Sequence, residues 1–229
     1  MKATPPRLRA MIGLLALASA GLASAQPKPL TPDLTAAPSE HGWKLINRSA
    51  RLIERNGAPA IHLEGETGAG FLRLENVVFA DGTIEFDARG RNVVQGSFLG
   101  LAFHGGADVK TYDAVYFRPF NFKASDPARR ARAVQYISLP AHPWQKLRAE
   151  HPGQYEKAVV PVPDPDAWFH VRLVVAWPQV SVFVDGGVEP CLVVTQLSER
   201  KRGWLALWTD VSGGDFANLK ILPASPTPP

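Results

Sequence analysis

The chain has 229 residues, 45% of them hydrophobic, a formal charge of +4 and one cysteine. One cysteine excludes an intrachain disulfide in any redox compartment. Three of the positive charges, Lys2, Arg7 and Arg9, precede residue 26 with no acid among them, so the remainder carries about +1. That balance leaves no electrostatic footprint for a nucleic-acid partner.

Residues 10–22 form an apolar run behind those charges, and Ala23-Ser24-Ala25 precedes Gln26. This is the pattern of a secretory signal peptide over residues 1–25. The run is too short for a bilayer span, which takes about 20 residues. The protein is therefore expected to be periplasmic or secreted, with no membrane insertion after cleavage. Removing 25 of the 229 residues leaves 204, enough for one core. Residues 26–39 hold Pro27, Pro29, Pro32 and Pro38 and read as a Pro-rich linker; residues 223–229 read as a disordered Pro-rich tail. A single domain is expected over residues 40–222.

Within it, period-two runs predict strands at 43–47, 60–64, 71–74, 82–89, 98–104 and 114–120. A second set is predicted at 133–138, 169–176, 180–185, 192–195, 204–209 and 216–221. Turn residues such as Asn56-Gly57, Asp81-Gly82 and Gly213-Gly214 separate them. Many short strands with Gly-rich turns predict an all-β, two-sheet antiparallel β-sandwich. The exception is residues 123–157, a short helical excursion. Asp126-Pro127 opens one helical turn, with Asp as cap and Pro at the first position. A second turn is predicted from Trp144 to His151, stopped by Pro152-Gly153. Cys191 stands in an apolar run and reads as a buried thiol.

Three stretches carry a resemblance. Gly82-Thr83-Ile84-Glu85-Phe86-Asp87 precedes Phe98-Leu99-Gly100-Leu101-Ala102-Phe103. Trp168-Phe169-His170-Val171-Arg172-Leu173-Val174-Val175 precedes residues 180–185. Gly203-Trp204-Leu205-Ala206-Leu207-Trp208 precedes Gly214-Asp215-Phe216-Ala217-Asn218-Leu219-Lys220-Ile221. This succession is similar to the concanavalin A-like lectin/glucanase superfamily, and within it to laminin-G-like and 3-keto-disaccharide hydrolase-like domains. The resemblance implies a two-sheet jelly roll whose concave sheet often binds glycans.

Strand alternation assigns faces independently. Glu85, Asp87 and Arg89 oppose Ile84, Phe86 and Ala88. Tyr116 and Arg118 oppose Val115 and Phe117, and Gln135 opposes Val134 and Tyr136. His104 ends its strand. If these strands are neighbours, the polar sets converge on one face, with planar donors and acceptors for hydroxyls and rings to stack on a sugar. The competing reading is a solvated face of charged cross-strand pairs. Trp144 and Tyr155 either lid a sugar site or pin the excursion to the sandwich. Arg129, Arg130 and Arg132 form either an anion site or a solvated helix face. The expected ligand-binding set is therefore Glu85, Asp87, Arg89, His104, Tyr116, Arg118, Gln135 and Trp144, with a carbohydrate as partner.

Some glycosidases of the superfamily carry Glu-x-Asp-x-x-Glu on one strand, and here Glu85 and Asp87 match its first two positions. Gly90 stands at the last position, or Arg89 in a variant one residue shorter, and either removes the acid/base of a retaining mechanism. Glycan binding, glycan cleavage on the same face, and a laminin-G-like protein-interaction module remain as three functional classes. No metal-ligand spacing occurs and no cofactor is expected; calcium is conceivable only at the turn Asp210-Val211-Ser212-Gly213-Gly214-Asp215.

Overall fold

The structure, a computed structural model, describes Met1 and residues 28–224. The expected leader beyond Met1, residues 26 and 27 of the expected linker and residues 225–229 of the expected tail lie outside the described residues.

Fourteen strands run in the order β1 (Trp43–Ile46), β2 (Ala50–Arg55), β3 (Ala58–Glu64), β4 (Gly70–Leu74), β5 (Gly82–Arg89), β6 (Ser97–Gly105) and β7 (Tyr112–Phe117), then β8 (Val134–Leu139), β9 (Glu156–Lys157), β10 (Phe169–Ala176), β11 (Gln179–Val184), β12 (Leu192–Thr195), β13 (Trp204–Val211) and β14 (Gly213–Pro223). They form two seven-stranded antiparallel sheets. Sheet one has the order β1-β4-β13-β6-β7-β8-β9, and sheet two β12-β11-β10-β5-β14-β3-β2. The chain is thus the all-β sandwich its periodicity predicts. Helices α1 (Pro127–Arg130) and α2 (Trp144–Glu150) occupy the expected excursion, and Asp126 caps α1 by accepting from the Ala128 amide. No helix among the described residues is long and apolar enough to cross a membrane.

Alternation produces the layers. In β10, Phe169, Val171, Leu173 and Val175 are buried while His170, Arg172 and Val174 are half-exposed. Their buried sides meet Leu99, Leu101, Phe103, Val115 and Phe117 of sheet one in a common core. Each such side chain contributes about 1.5–3 kcal/mol of burial free energy. Strands β7 and β8 depart from alternation, since nearly every residue in them is buried. The excursion covers their outer side, with Leu147 and Tyr155 packed down.

Two differences from expectation concern position. Strand β2 is absent from the sequence reading because Ala50-Arg51-Leu52-Ile53-Glu54-Arg55 is a charged, largely exposed edge. The Asn56-Gly57 turn joins it to β3, both residues having positive φ (51° and 78°), the type a two-residue hairpin needs. Residues 30–39, expected as linker, are docked. Leu30 exchanges backbone hydrogen bonds of 2.8 Å with Ile221, and Leu34 and Ala37 in a 3-10 turn (Leu34–Ser39) join the core.

Candidate functional site

Even-numbered residues of β6, β7 and β13 face outward from sheet one, so Phe98, Tyr112, Tyr116, Trp208 and Asp210 share one surface. Residues 118–132 wall it on one side and α2 on another. The result is a cleft of about 400 Å³, within the range of small-ligand sites. The Tyr116 and Trp208 rings lie 4.9 Å apart, and Trp208 Nε1 donates to Tyr112 Oη at 3.3 Å. Burial pushes both tyrosine hydroxyls up to about 12, so they remain protonated donors at neutral pH. Trp144 leans over the rim, 39% exposed, with the Arg148 guanidinium 4.7 Å from its ring centre.

Arg118 is the buried hub. Its Nη2 donates to Tyr116 Oη at 2.8 Å and to Gln135 Oε1 at 2.7 Å, and its Nη1 to the Arg132 carbonyl at 2.8 Å. Gln135 is fully buried beneath it, and its Nε2 has no hydrogen-bond partner among the described residues. Glu156 on β9 accepts both Nε and Nη2 of Arg148, at 2.9 and 2.6 Å. The same carboxylate lies 3.5 Å from Arg132 Nε and 3.8 Å from Arg118 Nη1. Burial raises the Asp210 carboxyl above its ordinary value, against weaker opposing help from backbone amides and Arg48.

The expected single face is divided. Tyr116, Arg118, Gln135 and Trp144 gather at this cleft, but Glu85, Asp87 and Arg89 belong to the other sheet. The condition that their strands be neighbours fails, because β5 pairs with β10 and β14 while β7 pairs with β6 and β8. On sheet two, Glu85 stands opposite Arg172 on one side and Lys220 on the other. Asp87 accepts from Arg55, from His170 Nδ1 at 2.8 Å and from Asn218 Nδ2 at 2.6 Å. Burial would raise its carboxyl, but those bonds and the Arg55 charge hold it below the ordinary value. Arg89 donates to Asp215 at 2.7 Å, and both Arg55 and Arg89 lie 5.0 Å from the Trp168 ring centre. The strand bearing the incomplete Glu-x-Asp motif is therefore remote from the cleft.

His104 is fully buried instead of facing outward. Between Trp204 and Ala206 the β6–β13 register shifts, so two residues of β6 oppose one of β13. His104 sits at that bulge with φ 49°, which re-aims its ring. Its nitrogens contact Gln196 Oε1 at 3.1 Å and the Ala80 carbonyl at 2.8 Å, and its ring stacks on Phe79. Trp144 and Tyr155 take different roles, since Tyr155 is buried against Tyr136 and pins the excursion. Cys191 is half-buried, and burial pushes its thiol up to about 11. Among the described residues no cluster of His, Cys, Asp and Glu is placed to hold a metal. Asp210 and Asp215, the ends of the turn considered for calcium, line different clefts.

Tyr112, Trp208, Arg148 and Glu156 are missing from the set expected from sequence, and Asp210 is considered there only for calcium. For Tyr112, Trp208 and Asp210 the signal is present: Tyr112 shares parity with Tyr116, and Trp208 and Asp210 alternate outward on β13. Arg148 and Glu156 come from the excursion, whose path no periodicity reveals.

No protein-family model and no curated protein matches the chain. Solved structures do resemble it. A Bacillus subtilis protein of unknown function with a galectin-like fold superposes with a TM-score of 0.55 at 12% identity, covering 88% of this chain and 99% of that one. The carbohydrate binding module CBM66 from Bacillus subtilis gives 0.52 at 15% identity, covering 79% and 95%. The VIP36 exoplasmic/lumenal domain, bound to Ca²⁺ and Man3GlcNAc, gives 0.52 at 9% identity, covering 82% and 88%. The chain shares the two-sheet β-sandwich fold of these structures, the architecture that its strand periodicity predicts.

Proposed function

We propose that the chain is an exported carbohydrate-binding protein that takes a glycan in the cleft on sheet one. The observation that carries this reading is the cleft itself: aromatic rings from three strands and α2 around a guanidinium fixed in place by Tyr116 and Gln135. Sugar rings present apolar faces to aromatic side chains and hydroxyls to planar donors, and a preorganised donor gives up little entropy on binding. CBM66 and VIP36, whose folds match, are by description a carbohydrate binding module and a glycan-bound domain, which supports the same reading. Export rests on the leader pattern of residues 1–25.

The test is calorimetric titration of the mature chain against an oligosaccharide panel. Trp144→Ala should weaken a binder about tenfold, the equivalent of one ring's stacking contribution. Glu85→Ala, on the other sheet, should leave affinity unchanged. The opposite pattern would move the ligand to sheet two, and no binding by any glycan would reject the proposal. A second reading, cleavage in the same cleft, is favoured by the raised Asp210 carboxyl, the kind of perturbed acid found at catalytic sites. Release of new reducing ends by wild type but not by Asp210→Asn would establish it.

A further inference from the structure

Among the described residues four guanidiniums line the cleft, those of Arg118, Arg129, Arg132 and Arg148, against Asp210 as the one lining carboxyl. Glu156, behind the wall, touches three of the four. Even with both acids ionised, two positive charges are unmatched there. The mature chain as a whole carries only about +1, so this excess is local. Sheet two shows the contrast, because Arg51, Arg55 and Arg89 there each meet a carboxylate, and Arg172 stands opposite Glu85 over the Phe183 ring.

Three of the four charges are also fixed in place. Arg129 is tied to Asn121 Oδ1 at 3.2 Å and the Phe120 carbonyl at 3.0 Å. Arg148 is clamped by Glu156 and Arg118 by Tyr116 and Gln135. Arg132 donates no side-chain hydrogen bond to any described residue, and its side chain is 42% exposed at the rim. Like charges held this close repel. For Arg118 burial is the chief burden on the charged form, and Arg148 and Arg132 add to it. An anion entering the cleft would relieve that repulsion. Hydroxyl groups of a neutral sugar would not, though they would satisfy the donors.

Resting on the cleft as the glycan site, we infer that its ligand is an acidic glycan, whose carboxylate or sulfate group is received by Arg132 with Arg129 and Arg148 beside it. The exposed ring of Trp144 then takes the sugar carrying that group. Guanidinium forks match both kinds of oxyanion, so the shared chemistry is a planar or tetrahedral anion on a pyranose.

The experiment compares each acid with its uncharged twin. Oligomers of galacturonate, glucuronate, and mannuronate with guluronate are titrated beside their methyl esters, which keep the ring and hydroxyls. Sulfated galactan oligomers beside desulfated ones form a second arm, and neutral oligosaccharides a third. Trp144 fluorescence reports occupancy. The expected result is at least one acid or sulfate ester bound about tenfold or more tightly than its uncharged twin, with affinity falling as salt rises. Arg132→Gln should weaken the acid more than its twin and so shrink the ratio between them. Whichever arm responds identifies carboxylate or sulfate. Equal binding of twins, or a neutral glycan bound tighter than every acid, overturns the inference while the glycan cleft stands. Silence in all three arms overturns both.

Discussion

The outer faces of the two sheets carry similar residues, carboxylates and arginines beside a tryptophan, yet one is a closed network and the other an open cleft. On sheet two the central charges stand opposite their complements on the neighbouring strand: Glu85 opposite Arg172, Asp87 opposite His170, Asp215 opposite His62 and Arg89. Asp87 and Asp215 are satisfied by these partners, and the Trp168 ring packs against Arg55 and Arg89. A polar groove of about 370 Å³ does open at the Asp215 end, but His62, Arg89 and Asp215 within it are bonded to each other. On sheet one the excursion stands over β7 and β8, burying aromatic residues and holding arginines together. Cross-strand complementarity thus closes a polar face, and insertion of a walled segment opens one.

The largest expected effect sharpens this contrast at the buried hub. Arg118→Leu would leave Tyr116 Oη and Gln135 Oε1 without their donor in a buried place, and the Arg132 carbonyl with Asn121 Nδ2 alone. Loss of hydrogen bonds to a buried charge should cost about 3 kcal/mol, read as a lower urea midpoint at unchanged slope. Glycan affinity should vanish with it. A variant as stable as wild type would show that the hub is not held as described.

Asp87→Ala makes the corresponding cut on sheet two. It strips Arg55, His170 and Asn218 of a shared acceptor, but Arg55 and His170 are 24% and 41% exposed, so water replaces much of the loss. About 1 kcal/mol of destabilisation is expected. Affinity in the cleft should not change. A weakened cleft would mean that the two faces are coupled through the core.

The contrast also explains what the sequence could show. Alternation placed Glu85, Asp87 and Arg89 on the outer side of β5, and Tyr116 and Arg118 on the outer side of β7, all correctly. Side, however, is a property of one strand, whereas sheet is a property of pairing between distant strands. Nothing in either segment says that β5 runs between β10 and β14. The His104 parity failed for a different reason, since one extra residue in β6 inverted its direction. The docked residues 30–39 carried too few apolar positions for a period, and their anchors Leu34 and Ala37 are recognisable only from the core they enter.

The smallest effect tests whether the sheet-two network is electrostatic. His170 has a raised pKa, chiefly through its hydrogen bond to Asp87 and with help from the Asp87 charge, against the cost of burial. A raised folded value means that protonated His170 stabilises the fold. That contribution is complete below the unfolded value of about 6.5 and is lost as pH rises through the higher folded value. Asp87 has the opposite sign: its contribution is present above the unfolded carboxylate value and disappears as pH falls through the lowered folded one. Both act together only in the window between, around pH 5 to 6. With His170 partly in water the gain is a few tenths of a kcal/mol, about 1 °C in Tm for a chain of this size. The Tm difference between wild type and His170→Gln should therefore be largest near pH 5.5 and narrow toward pH 8. Any pH dependence of glycan affinity should be identical in the two proteins, because the cleft lies on the other sheet. A difference in Tm independent of pH would reduce the His170–Asp87 contact to packing and a neutral hydrogen bond.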